Sequence, residues 1–297
     1  MFNKNYPQQN SIYNCLPKNT NQDEIKKMDM ETYSERADEF DEAEMLKLST
    51  EETDIIKPLT KLPQDAKILE LAGGNGRFVF YLAKLGFNMI ESDIAYGSVA
   101  KVKSVADKNN INNITYAIID AENLPFQNDS LDAIFMVASL HHLPDVKKAI
   151  AEIARVLKPD GQLLILREPA SWQYYFFYPI TIILQKLLRY KNKNAFSLAD
   201  DVTWGFSQRK LKKLLASDFK NIKIKPVHYL RKIYTNWLVL KSKLARPAVG
   251  MGGFTGKKYT PNKRIEKSLK NIDDNIISKI PIIKNLSWDW DIYGKGE

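Results

Sequence analysis

Residue types suited to holding a nucleotide-like ligand cluster at Glu70-Leu-Ala-Gly-Gly-Asn-Gly-Arg-Phe78. Glycines let the backbone approach a ligand closely, and a helix starting behind them presents amide donors. The dinucleotide pattern GxGxxG is not met, because Gly74 and Gly76 are followed by Val79 where the third glycine belongs, and the phosphate loop GxxxxGK fails as well. Asp93, one apolar run later, can accept from the hydroxyls of a ribose, each charge-assisted bond being worth ~1.5–3 kcal/mol. An ordinary solvated loop acid is the other reading of that residue. Asp120 can accept from an adenine amino group while the Ala121 N–H donates to a ring nitrogen, with Leu124, Phe126 and Ile94 as apolar walls; a turn-capping acid is the alternative. His141 and His142 have the near-neutral titration that proton transfer needs, set against loop packing and ligand contact.

The elements that must position these residues alternate regularly between 67 and 166. Short apolar runs fall at KILEL (67–71), FNMIES (87–92), ITYAII (114–119), AIFMV (133–137) and QLLIL (162–166). Phe78, Val79, Leu82 and Leu85 mark a helix between the first two, and Val99, Val102, Val105 and Ala106 mark the next. Val146, Ala149, Ile150, Ile153, Ala154 and Leu157 form a third stripe, ended by the KPDG turn at 158–161. This spacing predicts right-handed βαβ crossovers, an α/β fold with a parallel sheet covered on both faces, and ligands at the C-terminal ends of the strands.

Around this centre, residues 1–27, rich in Asn, Gln, Pro and Lys, read as a flexible tail, and 28–60 as a polar helical segment with Tyr33, Ala37, Phe40 and Met45 at helical spacing. Residues 61–170 form the core, and 171–297 an appended region. There, Ser207 is placed to cap a helix carrying Leu211, Leu214 and Leu215, FKNIKIKPV (219–227) and SWDWDIYGK (287–295) read as strands, and Gly250 to Gly256 sit in a lysine-rich insertion.

At 297 residues with 44% apolar and 27% charged, the chain is long enough to bury a full core, which excludes collagenous, disulfide-scaffold and disordered classes. Cys15, alone, cannot form an internal disulfide, and there is no Cys/His cluster for zinc. The N-terminus lacks the apolar region of a secretory signal, and Pro169 to Gln185, interrupted by Pro179, is short of a membrane span. A reducing, cytoplasmic setting is the expectation. Residues 1–60 carry 7 bases against 13 acids, 61–170 carry 12 against 13, and 171–297 carry 25 against 9. All the excess base faces the C-terminal region toward something anionic: nucleic acid, phospholipid or a phosphorylated substrate.

Taken in order, five elements resemble the class I S-adenosylmethionine-dependent methyltransferases. The glycine turn is similar to their E/D-x-G-x-G-x-G, and Asp93 falls where they keep a ribose acid. Asp120-Ala-Glu-Asn-Leu-Pro-Phe126 matches D-A-x-x-L-P-F, Leu131-Asp-Ala-Ile-Phe with Ser139-Leu-His-His-Leu-Pro-Asp145 matches the fourth strand and its loop, and Arg155-Val-Leu-Lys-Pro-Asp-Gly161 matches R-V-L-K-P-G-G. The type 11 branch, with its small-molecule and quinone enzymes, is the nearest pattern. The resemblance implies a Rossmann-like doubly wound, mostly parallel seven-stranded sheet with helices on both faces and a helical C-terminal lid. It also implies S-adenosyl-L-methionine held by Glu70, Ala72, Gly73, Gly74, Gly76, Asp93, Ile94, Asp120, Ala121 and Val137. Ala72 departs from the family's first glycine: if the position needs φ > 0 it costs about 1 kcal/mol, and otherwise the change is silent.

Methyl transfer asks the protein for in-line placement, exclusion of water and sometimes a base, for which His141 and His142 are the candidates. Tyr33, Trp172, Phe176 and Phe177 are the candidate acceptor contacts, since Trp172-Gln-Tyr-Tyr-Phe-Phe-Tyr178 opens the region that varies among relatives. Aromatics followed by an aliphatic helix ending in bases make an apolar lid, a helix in a membrane interface or a core helix. The acceptor expected is a small or lipid-like, anionic molecule, with peripheral contact at the inner membrane surface. The rival readings are a nucleic-acid methyltransferase using the basic region and a cofactor-binding protein without catalysis.

Overall fold

The computed structural model describes residues 2–20, 23–172, 175, 204–230, 232–234, 262–280 and 283–297. Five parallel strands make its centre: β3 (Ile68–Leu71), β4 (Met89–Asp93), β5 (Ile114–Ile118), β6 (Leu131–Val137) and β7 (Leu157–Pro169). They come from the five apolar runs, each with both faces covered. Between them lie the helices α4 (Arg77–Lys84), α5 (Tyr96–Lys108) and α6 (Val146–Val156). On the C-terminal side, β8 (Phe219–Val227) and β9 (Asp289–Gly296) add antiparallel to β7, with β9 between β7 and β8. Ser207 does cap a helix, Gln208–Leu215, its Oγ accepting from Lys210 N–H at 3.2 Å, and Leu211 and Leu215 are buried on α6 and the sheet.

The sheet has nine strands in the order β1-β2-β5-β4-β3-β6-β7-β9-β8, not the seven that the resemblance implies. The seven are present from β5 to β8. The extra pair, β1 (Gln8–Gln9) and β2 (Ile12–Asn14), comes from the segment read as a flexible tail, and β2 runs parallel to β5 with Ile12 opposite Tyr116. The correction has a physical cause: Ile12 is buried, and Phe2, beside Tyr6 and Tyr13, lies 5.3 Å ring to ring from Phe126. These side chains cover apolar surface at the β5 edge although two- and three-residue strands leave no period to read. Cys15 is buried with them, and burial pushes its thiol up to about 12, which makes it inert.

Two apolar layers sandwich the sheet. One packs Leu69, Ile134, Met136 and Ile165 under Ile150 and Ile153 of α6; the other packs Ile68, Phe135 and Met89 under Phe80, Val99 and Val102 of α4 and α5. Strand order reverses between β3 and β6, and a crevice at such a reversal is where doubly wound sheets bind ligands. The segment read as a polar helix over 28–60 is broken into α1 (Glu24–Arg36), α2 (Glu42–Met45) and α3 (Thr50–Ile56). The acceptor residues Phe176 and Phe177 and the glycine-rich insertion lie outside the described residues.

Candidate active site

The glycine turn leaves β3 and enters α4. Gly74 and Gly76 have φ of 58° and 64°, and Ala72 sits at 55°, so the position that departs from the family pattern is one that favours glycine. Gly73 is required for a different reason: a Cβ there would lie 2.5 Å from Glu91 Oε1. Beside Gly74 the same construction meets nothing within 4 Å, so the space on that side is open. Left-handed backbone recurs at Ala138 after β6 and at Arg167 near the end of β7, φ 52° and 61°. Among the described residues with left-handed backbone, Ala72, Ala138 and Arg167 fall near the C-terminal ends of three neighbouring strands.

Asp93 closes β4 and is 7% exposed. Its Oδ2 accepts from Gly74 N–H at 3.0 Å and its Oδ1 from Ala95 N–H at 2.9 Å. Burial pushes the carboxyl up, and the N–H groups of Ala95, Gly74 and Ile94 pull it part of the way back. With three N–H groups facing it, about one of a carboxylate's four lone-pair sites remains for a hydroxyl, so Asp93 braces the glycine turn as well as facing the site. Ile94 is half-buried beside it.

Asp120, 2% exposed, receives three bonds: Oδ1 from Glu122 N–H at 3.0 Å, and Oδ2 from Lys26 Nζ at 2.9 Å and Asn123 Nδ2 at 2.8 Å. One lone pair on Oδ1 remains for an amino group. Ala121 is buried next to it, and Val137, the last residue of β6, is half-buried across the strand reversal. Lys26 also donates to Glu122 Oε2 at 2.6 Å, while Glu122 Oε1 accepts from Asp145 N–H at 2.7 Å. Burial alone would lower the Lys26 ammonium, but the bonds to Glu122 and Asp120 outweigh it and raise its pKa.

Lys26 belongs to α1, which lies across the ends of β4, β5 and β6. Ser34 Oγ accepts from Gly97 N–H, Tyr33 C=O accepts from Ser98 Oγ, and the Tyr33 ring stands edge-on to His142 at 6.0 Å. A Cβ at Gly97 would meet the Ser34 carbonyl at 2.5 Å, so this glycine allows the close approach. The adenine candidate Asp120 is thus held by a helix whose buried residues are Lys26 and Asp29 rather than leucines.

Beneath the turn, Glu70 and Glu91 face each other across the β3–β4 pair in register, with Tyr116 next on β5. Burial pushes Glu70 up to about 8, against the pull of the Val79 N–H, the bond with Glu91 and the Arg77 charge, and burial with the neighbouring Glu70 and Asp93 holds Glu91 well above the carboxylate range. Glu70 thus supports the turn from below and is paired with a second carboxyl that sequence reading did not single out.

The loop after β6 is built around Glu168 of β7, fully buried. Glu168 Oε1 accepts from the N–H groups of Ser139 and Leu140, each at 2.9 Å, and Oε2 from the His141 N–H at 3.1 Å, with His141 Nδ1 at 2.9 Å from the same oxygen. His142 stacks on His141 with rings 4.1 Å apart. Sequence reading missed Glu168; its only signal is an acid shortly after the apolar run Leu163–Leu166. The Trp172 indole N–H donates to the Ser287 carbonyl at 2.6 Å, and its ring lies edge-on to Trp288. Among the described residues no group of His, Cys, Asp and Glu is arranged to hold a metal, and no helix is long and apolar enough to cross a membrane.

Fold and site together define a doubly wound protein with a candidate cofactor site at its strand reversal. Residues 69–165 match the family described as Methyltransferase domain, in line with the resemblance of this segment to the type 11 branch of the class I S-adenosylmethionine-dependent methyltransferases. The ubiquinone/menaquinone biosynthesis C-methyltransferase UbiE of Psychromonas ingrahamii is 31% identical over 163 residues, 51% of this chain and 64% of the relative. The UbiE of Rickettsia typhi is 34% identical over 132 residues, 40% of this chain and 53% of that protein. The chain thus spans between half and two thirds of these relatives. Among solved structures, the cyclase SpnF superposes with a TM-score of 0.51 at 14% identity, over 82% of this chain and 79% of that one, a likeness of fold alone.

Proposed function

We propose that the protein transfers a methyl group from S-adenosylmethionine to a small, lipid-like acceptor bearing an aromatic hydroxyl, the quinol of a quinone ring being the class that the named relatives suggest. The observation that carries this reading is the joining of three groups at one strand reversal: the glycine turn with open space at Gly74, the ribose and adenine candidates Asp93 and Asp120, and the His141 loop. The bound cofactor supplies an activated methyl on a positively charged sulfur. Asp93 takes a ribose hydroxyl, Asp120 Oδ1 the adenine amino group, and Ile94, Ala121 and Val137 line the purine. His141, with His142 beside it, takes the acceptor's hydroxyl proton. The freed electron pair would make the ring carbon next to the oxygen nucleophilic toward the methyl group that the bound cofactor supplies; release of the ring proton to solvent, with the His141 imidazolium returning its proton to the oxygen, would restore the aromatic hydroxyl and the free base. Closing α1 over the rim excludes water.

Tyr33, and the tract from Trp172 that includes Phe176 and Phe177, are the parts we assign to the acceptor, with the basic region beyond them supporting peripheral contact with an anionic membrane surface in the cytoplasm. The test is methyl transfer from methyl-deuterated S-adenosylmethionine, read by mass spectrometry, with demethylated quinols in detergent and total RNA offered in parallel. A mass gain on the quinol supports the reading. A gain on RNA alone transfers it to the nucleic-acid alternative, and tight cofactor binding with no gain on any acceptor would leave a binding protein.

A further inference from the structure

We propose that Glu168 is a positioning residue that fixes His141 with its proton on Nδ1 and its basic lone pair on Nε2, and thereby tunes it as the base; this rests on the methyl-transfer reading above.

The geometry is a carboxylate wrapped by a loop. Glu168 is fully buried on β7 and collects the backbone N–H groups of Ser139, Leu140 and His141 together with the His141 ring nitrogen. Three of these bonds would hold the loop without any imidazole. The fourth adds what a structural clamp does not need: a carboxylate accepting from Nδ1 excludes the opposite tautomer and stabilises the imidazolium that forms when Nε2 takes a proton. Ala138, with φ of 52° immediately before the loop, and Arg167, with 61° immediately before Glu168, are the strained positions that bring the two together. Arg167 does not neutralise its neighbour; its guanidinium turns to Glu51 and Asp291. Groups near His141 include His142, its ring tilted 4.1 Å away, and Tyr33 of α1 beyond His142. Glu122 meets the same loop at the Asp145 N–H, but its charge is shared with Lys26. Glu168 is an anion in direct contact with the ring.

The chain has only three histidines, so long-range nitrogen–proton NMR spectra of the full protein labelled at histidine resolve each ring. In the wild type, neutral His141 should be the Nδ1–H tautomer. In Glu168→Gln its titration should move to lower pH by about one unit or more, because the stabilising charge is gone. The acid limb of the kcat/KM profile should move the same way, kcat should fall, and the dissociation constant for S-adenosylmethionine should stay near the wild-type value. Glu168→Asp, which retains the charge, should keep the limb near its wild-type position. A wild-type His141 in the Nε2–H form, or a titration that Glu168→Gln leaves in place, overturns the proposal. If Glu168→Gln does not fold, the wild-type tautomer and the aspartate variant decide it in the same terms. Failure of the wild type to bind S-adenosylmethionine would instead overturn the methyl-transfer reading, a result distinct from either.

Discussion

Lys26 Nζ lies 2.9 Å from Asp120 Oδ2 and 2.6 Å from Glu122 Oε2, so one buried ammonium ties the N-terminal helix to the carboxylate assigned to adenine. Asp120 is buried and held by this helix, so cofactor access to it is expected to depend on movement of α1. Removing one member of a buried ionic group costs about 3–5 kcal/mol, because the others are left uncompensated. Lys26→Met should therefore loosen the lid: amide exchange over residues 24–36 speeds up, and cofactor association and dissociation both accelerate, about tenfold or more. Hydrogen-exchange mass spectrometry and stopped-flow binding check this. Unchanged exchange and rates would mean that α1 is not the gate.

Ala72 carries the backbone strain that the family's glycine avoids. With φ at 55°, Ala72→Gly should stabilise the fold by about 0.5–1 kcal/mol, the relief being partly offset by the greater freedom of glycine in the unfolded chain. Urea denaturation reads this directly. A destabilised variant would show that the alanine methyl packs favourably enough to outweigh its conformation.

Glu70 and Glu91 should make stability fall as pH rises. Burial raises both carboxyls, Glu70 from 4.5 to about 8, so the folded protein binds more protons than the unfolded chain within that window. Stability is therefore lost with increasing pH there, the opposite of a salt-bridged carboxylate. The groups facing the pair are Asp93, Tyr116 and the Arg77 guanidinium. Glu91→Gln, a neutral replacement of the same shape, should melt higher than the wild type at about pH 9 and by a smaller margin at about pH 5. Thermal melts across that range check the sign; equal margins would remove Glu91 from the linkage.

Asp93 has two tasks, and two variants separate them. Asp93→Ala loses the ribose contact and also releases Gly74 and Ala95, so cofactor binding should weaken by more than the ~1.4–3 kcal/mol expected for the ribose alone. Asp93→Asn keeps one oxygen for a backbone N–H and should fall between. Calorimetric dissociation constants order the three proteins, and a wild-type value for Asp93→Ala would take the residue out of the site.

The reach of the sequence differs sharply between the elements and the contacts. β3 to β6 were legible because each is a short apolar run bounded by turn residues, and β8 matches its expected bounds, Phe219–Val227; β7 was legible only over 162–166, since it starts at Leu157 and takes in the KPDG segment that reads locally as a helix end and turn. The glycine turn, Asp93, Asp120 and the histidine pair were legible as local patterns. Lys26 and Glu168 were not, because their bonds cross 94 and 27 residues and no local period marks them. Asp93's grip on Gly74 was hidden for the same reason, and β1 and β2 are too short for alternation to show. Trp172 was legible as an aromatic but not as the partner of Ser287 and Trp288, which only the folding back of the C-terminal segment brings to it.

The central claim, that the strand reversal between β3 and β6 is a site for S-adenosylmethionine, is tested most directly by titration calorimetry of the full chain with S-adenosylmethionine, S-adenosylhomocysteine and NAD. The site predicts saturable binding of the first two with one equivalent per chain, and no heat from NAD, because Val79 stands where the dinucleotide turn needs glycine. Binding of NAD with no binding of either adenosyl compound would contradict it.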